Sequence, residues 1–205
     1  MIKAIIFDLG GVLVPEKGAK IKKEISNYID LSDRKFHLFL KQNHEKLMTG
    51  RITLLSLYAE LERKFNIKIK PSKILQKHLA LYIRYSTKRN KNIIKLIKNL
   101  KKNYRVVALT NTEKEIAEYN RKKGLFRLFD KTFISTDIHL MKPQTAIFRK
   151  VLKDINCRPR EVIFIDDKID HVSHAQKLGL NSMLFENLNK LKKNLVSLRV
   201  IFRDD

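Results

Sequence analysis

The chain has 205 residues, with 44 Lys+Arg against 21 Asp+Glu, a formal net charge of +23 and 43% hydrophobic residues. That apolar content supports a real core and excludes a disordered tail, and a single cysteine, Cys157, excludes an intramolecular disulfide framework. The apolar runs fall far short of the roughly 20 residues of a transmembrane helix, and Asp8 interrupts the first of them too early for a signal peptide, so a soluble cytoplasmic protein with no membrane partner is expected. The charge is spread along the chain. Residues 1–14 sum to zero, 15–90 to +11, 91–130 to +7 and 131–205 to +5. A Lys-rich solvated surface accounts for such a spread better than a localised nucleic-acid stripe does.

In chain order, Lys3 to Leu9 (KAIIFDL) is an apolar run that meets an acid and then Gly10-Gly11, which predicts a buried strand and a tight turn. Residues 16–49 carry a helical period in Ile21, Ile25 and Ile29, then in Phe36, Phe39 and Leu40, with Ser32 as a cap for the second helix. Gly50 breaks the pattern. Thr53 to Phe65 resumes it, and Pro71 opens another helix through Tyr82. Beyond residue 90 the pattern alternates. Helices are predicted around Ile93–Leu100, Glu113–Lys123, Pro143–Asp154, His171–Leu178 and Leu188–Val200. Strands are predicted at Arg105–Thr110, Lys131–Ser135, Val162–Ile165 and Ser182–Phe185. Such alternation means a doubly wound α/β parallel sheet with crossover helices on both faces, and residues 15–90 form a helical insertion after its first strand.

Ligands of such sheets bind beyond the carboxyl ends of the strands. Here those ends carry Asp8, Thr110-Asn111, Asp166-Asp167 and, after the third strand, Lys142-Pro143. Clustered carboxylates repel one another, and a hard cation relieves that. Mg2+ held by one or two carboxylates plus a phosphate suits the inventory, with Thr110 and Lys142 free to hold phosphate oxygens. The residues therefore point to phosphoryl chemistry.

The ordered set FDLGGVL (7–13), ALTNT (108–112), KP (142–143) and FIDD (164–167) with KLGL (177–180) resembles the haloacid dehalogenase superfamily of phosphohydrolases, over nearly the whole chain. The resemblance implies a Rossmann-like core, residues 1–14 and 91–205, and an all-α cap, residues 15–90. It implies Asp8 as a nucleophile that forms an aspartyl-phosphate, with Lys142 as its catalytic partner. Thr110, Asn111 and Lys142 would bind phosphate. Mg2+ would bind Asp8, the Gly10 carbonyl and an acid at 166–167, and alignment of FIDDKIDHVSHA favours Asp167 over Asp166 as the direct ligand.

Two positions depart from the family pattern. Gly10 stands where a second acid usually protonates the leaving group, help worth about 100- to 10,000-fold. A small phosphorylated metabolite with a good leaving group is the expected substrate. His171 stands where Asp or Asn is usual, so either Asp170, one residue earlier, would substitute or His171 would orient a metal-bound water. Competing readings are a nucleic-acid-associated protein, either a nucleotide phosphatase or a binder, from the charge and from Tyr82 and Tyr85 among Lys77, Arg84, Lys88 and Arg89, and a degenerate relative that only binds. Within the cap, His44, Glu45 and Arg51 are the candidate substrate contacts. A zinc site at His171 and His174 is disfavoured for want of further ligands.

Overall fold

The computed structural model describes residues 1–86 and 88–202. Among these, β1 (Ala4–Phe7), β2 (Arg105–Thr110), β3 (Lys131–Ile134), β4 (Val162–Asp166) and β5 (Asn181–Leu184) form one parallel sheet in the order β3-β2-β1-β4-β5. Helices α1 (Gly18–Tyr28), α2 (Asp33–Met48), α3 (Leu54–Phe65) and α4 (Pro71–Ser86) follow β1, and α5 (Lys91–Leu100) leads into β2. Further along the chain are α6 (Lys114–Lys122), α7 (Ser135–Ile138), α8 (Thr145–Asp154), α9 (Ile169–Lys177) and α10 (Leu188–Ser197).

The central strands are apolar throughout because both of their faces are covered. Ile5 and Phe7 of β1 pack on one side with Val106 and Ile163, under α5 and α10. Ala4 and Ile6 point to the other side with Val107 and Phe164, under α8 and α9. Phe148 meets Phe164 edge-on there, ring centroids 5.3 Å apart. The helical insertion has a third cluster of its own, built on Ile25, Phe39, Leu57 and Ile74 and touched by Ile116 and Met141. Its two chain crossings lie side by side, since Asn90 N–H donates to Leu13 O at 3.0 Å. Among the described residues no helix is long and apolar enough to cross a membrane.

Local signals explain some boundaries. Thr53 caps α3 reciprocally with Ser56, and Asn90 caps α5 through Asn92 and Ile93. Two expectations need correction. Ser32 occupies the cap position of α2 but makes no capping hydrogen bond. Pro143 does not open α8. Residues 141–144 form a turn, with Gln144 N–H donating to Met141 O (2.9 Å), and the helix starts at Thr145.

Candidate active site

Parallel strands deliver their last residues to one edge. β1, β2 and β3 run to one side while β4 and β5 lie on the other, so the order reverses between β1 and β4 and leaves a crevice there. Asp8 follows β1 and its N–H donates to Ile165 O at 2.8 Å, which ties the two strand ends together. Asp166 closes β4.

Lys142 is 1% exposed. Its Nζ donates to Asp8 Oδ1 (2.6 Å), Asp166 Oδ2 (2.6 Å) and Leu109 O (2.9 Å), which uses all three donors of an ammonium. Burial alone would lower its pKa, but the two carboxylates outweigh that and hold it above the usual lysine value. Asn111 aims this lysine: its Oδ1 accepts from Lys142 N–H at 3.0 Å and its Nδ2 donates to Lys142 O at 2.9 Å. The Asn111 side chain is thereby spent on positioning.

The neighbouring acids are pushed apart. Burial raises Asp8 to about 6 against the pull of Lys142, and Asp166 adds to the rise. Burial works on Asp166 as well, but Lys142 and His171 hold it at about 2. Both Asp166 oxygens are occupied: Oδ2 by Lys142 and by His171 Nδ1 at 2.9 Å, Oδ1 by Lys168 N–H at 2.9 Å. That last bond lets α9 begin at Ile169, earlier than the periodicity predicts. Burial raises Asp167, helped by Asp166 and Glu16. Its Oδ1 is buried without a protein partner.

Oxygens of Asp8, Asp166 and Asp167 lie within 4.8 Å of one another. Three carboxylates facing one ammonium leave negative charge uncompensated, and the orphaned Asp167 oxygen wants a ligand. The donor set is all hard oxygen. It therefore fits a magnesium-like cation. Gly11 makes room for it. At φ +72° a Cβ would fall 2.0 Å from Asp167 Oδ2.

A cavity of about 430 Å³ opens from this edge, lined by Gly10, Thr110 and Asn111 and by side chains of α1–α4 and α6. His44 lines it, whereas Glu45 and Arg51 are absent from its wall and form an exposed pair at 3.9 Å. Tyr82 accepts from Asn120 Nδ2 (2.7 Å) and Tyr85 donates to Glu24, so both tyrosines are tied into the helices. His174 pairs with Asp170 O at 3.0 Å, apart from the Asp166 partner of His171, so the two histidines do not converge.

Sequence reading missed Glu16. A Cβ on Gly10 would stand 3.4 Å from Glu16 Oε2 and 3.7 Å from Asp8 Oδ2. The Glu16 carboxylate thus occupies the neighbourhood of the missing acid. Its Oε1 accepts from Gly18 N–H at 2.9 Å, at the start of α1. The available signal was an acid just before a helix. Tyr58 and His78, which share a hydrogen bond of 2.5 Å in the cavity wall, gave no signal at all.

A doubly wound parallel sheet with clustered acids and a buried lysine at its switch point is the arrangement the motifs imply. The chain belongs to the haloacid dehalogenase-like hydrolase family, whose model matches residues 2–179. It is 28% identical over 207 residues to drimenol cyclase drtB of Aspergillus calidoustus, covering 97% of this chain but spanning only 37% of that protein. It is 24% identical to the D-ribitol-5-phosphate phosphatase of Bacteroides thetaiotaomicron, covering 91% of this chain and 93% of that one. A family enzyme of Bacteroides thetaiotaomicron, solved with magnesium and inorganic phosphate, superposes with TM-score 0.73 at 20% identity, over 93% of this chain and 99% of that one.

Proposed function

We propose that the protein is a Mg2+-dependent phosphomonoesterase whose nucleophile is Asp8 and whose helical insertion, residues 15–90, is the cap over the site. The observation that carries this is the convergence of three carboxylates within 4.8 Å around a fully buried lysine. Magnesium in the solved relative, and a phosphate ester as the named substrate of the ribitol-phosphate enzyme, support it. Asp8, the Gly10 carbonyl and Asp167 would hold the cation, with Asp166 behind them. When bound, it supplies charge neutralisation for the phosphoryl oxygens.

An Asp8 carboxylate oxygen attacks phosphorus, the bond from phosphorus to the leaving oxygen breaks, and an aspartyl-phosphate forms. Lys142 keeps Asp8 ionised and aimed, and Thr110 donates its hydroxyl to a phosphoryl oxygen. Water then attacks phosphorus, phosphate departs and the Asp8 carboxylate returns. Glu16 is the carboxyl that can protonate the leaving oxygen and later take the proton of that water. With it, poor leaving groups are usable; without it, Gly10 restricts the enzyme to good ones.

Phenyl phosphate hydrolysis should require Mg2+, and Asp8→Asn should lower it by at least about 1,000-fold. Activity surviving that change removes the reading. Glu16→Gln should cost about 100- to 10,000-fold on alkyl phosphates and little on nitrophenyl phosphate. Equal leaving-group dependence in both proteins would instead leave Gly10 limiting.

A further inference from the structure

The cavity beyond the phosphoryl site combines a charged rim with a neutral interior. Lys17, Lys22, Lys41 and Lys168 line it from exposed positions. The apolar part of its wall comes from Ile21 and Ile25 of α1, Phe36 and Leu40 of α2, Leu54 of α3 and Ile116 of α6. Four of the polar side chains deeper in the wall are matched to each other. Tyr58 Oη is bonded to His78 Nδ1, and Asn120 Nδ2 to Tyr82 Oη. Burial pushes His78 down to about 4 and Tyr58 up, so both are neutral near pH 7. Acidic side chains of the wall are Glu16, already given a role, and Glu113, which burial shifts toward its neutral form.

A polyol seated here would exchange its water hydrogen bonds for partners that are engaged with each other, and each unpaired polar group costs free energy. A hydrocarbon loses nothing by entry. The volume, about 430 Å³, falls in the range of small-molecule sites. The cavity is also continuous with the phosphoryl end, since Gly10, Thr110 and Asn111 belong to its wall.

We propose that the organic part of the substrate is a hydrocarbon body held in this cavity, so that the enzyme acts on monophosphates of apolar alcohols or phenols. This rests on the phosphomonoesterase reading for the position of the phosphate.

Para-alkylphenyl phosphates, methyl through hexyl, vary the body at nearly constant leaving-group acidity. With Mg2+, kcat/KM should climb by up to roughly fourfold per methylene until the cavity fills, mainly through KM, and exceed that of sugar phosphates. Leu40→Ser should flatten the climb. Leu38→Ser, at an exposed position of the same helix and outside the wall, should leave it intact. Hydrolysis with a flat series, or a preference for sugar phosphates, overturns the inference and leaves the phosphatase reading standing. Calorimetric binding of alkyl phosphonates separates the two. Affinity that grows with chain length supports the apolar site even without turnover, and affinity independent of length overturns it.

Discussion

The sheet edge and the helical insertion handle charge in opposite ways. Among the described residues, the buried Asp, Glu and Lys side chains are Asp8 and Asp166 at the strand ends and Lys142, which reaches both from the turn of residues 141–144. Within residues 15–90, every Lys, Arg, Asp and Glu is exposed or half-buried. The insertion lines the cavity with apolar side chains and the neutral Tyr58–His78 pair, and holds Lys17, Lys22 and Lys41 at exposed positions of the wall. Desolvated charge acts strongly at short range and suits chemistry. Exposed charge acts weakly on any one contact but draws anions from a distance. Under the proposed function, the +11 of residues 15–90 would serve capture of an anionic substrate, and the interior its selection.

The largest test of that contrast removes the lysine. Lys142→Met leaves Asp8 and Asp166 buried without their cation, which should cost about 3–5 kcal/mol of stability at neutral pH. The stranded acids then take up protons more readily folded than unfolded, so the variant should regain stability as pH falls. Urea unfolding followed by circular dichroism reads both effects. Wild-type stability in this variant would mean that the edge is not a desolvated charge cluster.

His78 tests the neutral side. Its folded pKa, about 4, lies below the ordinary value of 6.5. A lowered folded pKa gives stability that is fully present above pH 6.5 and is lost as pH falls from 6.5 toward 4. The loss is at most about 3 kcal/mol, and less to the extent that cavity water screens the ring. His78→Gln should lack this acid limb. An unchanged limb would place the titrating group elsewhere.

The convergence of acids at the strand ends was legible in one dimension and the make-up of the cavity wall was not. Asp8, Thr110, Asp166 and Asp167 each stand at or just after the end of an apolar strand, and in a parallel sheet that position alone brings them to one edge. Lys142 was placed there only as a residue following the third strand, and the motif resemblance singled it out among many lysines. Glu16 escaped because its nearness to Gly10 depends on how the loop of residues 9–14 folds back, with Gly11 N–H donating to Val14 O. The spent amide of Asn111 escaped because its partner is 31 residues away. Tyr58 and His78 sit on different helices whose packing no periodicity reveals.

The smallest expected effect alters the edge without changing any charge. In Gly11→Ala the new Cβ meets Asp167 Oδ2 at 2.0 Å, Cγ at 2.3 Å and Cβ at 2.9 Å, so residue 167 must shift as well as its carboxylate, while the backbone must keep φ +72°. Left-handed backbone costs a residue with a side chain about 1–2 kcal/mol, and the Asp167 carboxylate has to swing aside. The unfolding free energy should fall by that amount, and the Mg2+ concentration for half-maximal activity should rise roughly 10- to 100-fold, as when a ligand's support is lost. The chain-length slope of phosphonate binding should stay as it was, because no part of the apolar wall has moved. A slope that weakens along with the metal requirement would show that the two ends of the cavity are one coupled unit. An unchanged Mg2+ requirement would detach Asp167 from the chemistry of the edge and leave Asp8 and Asp166 to hold the cation.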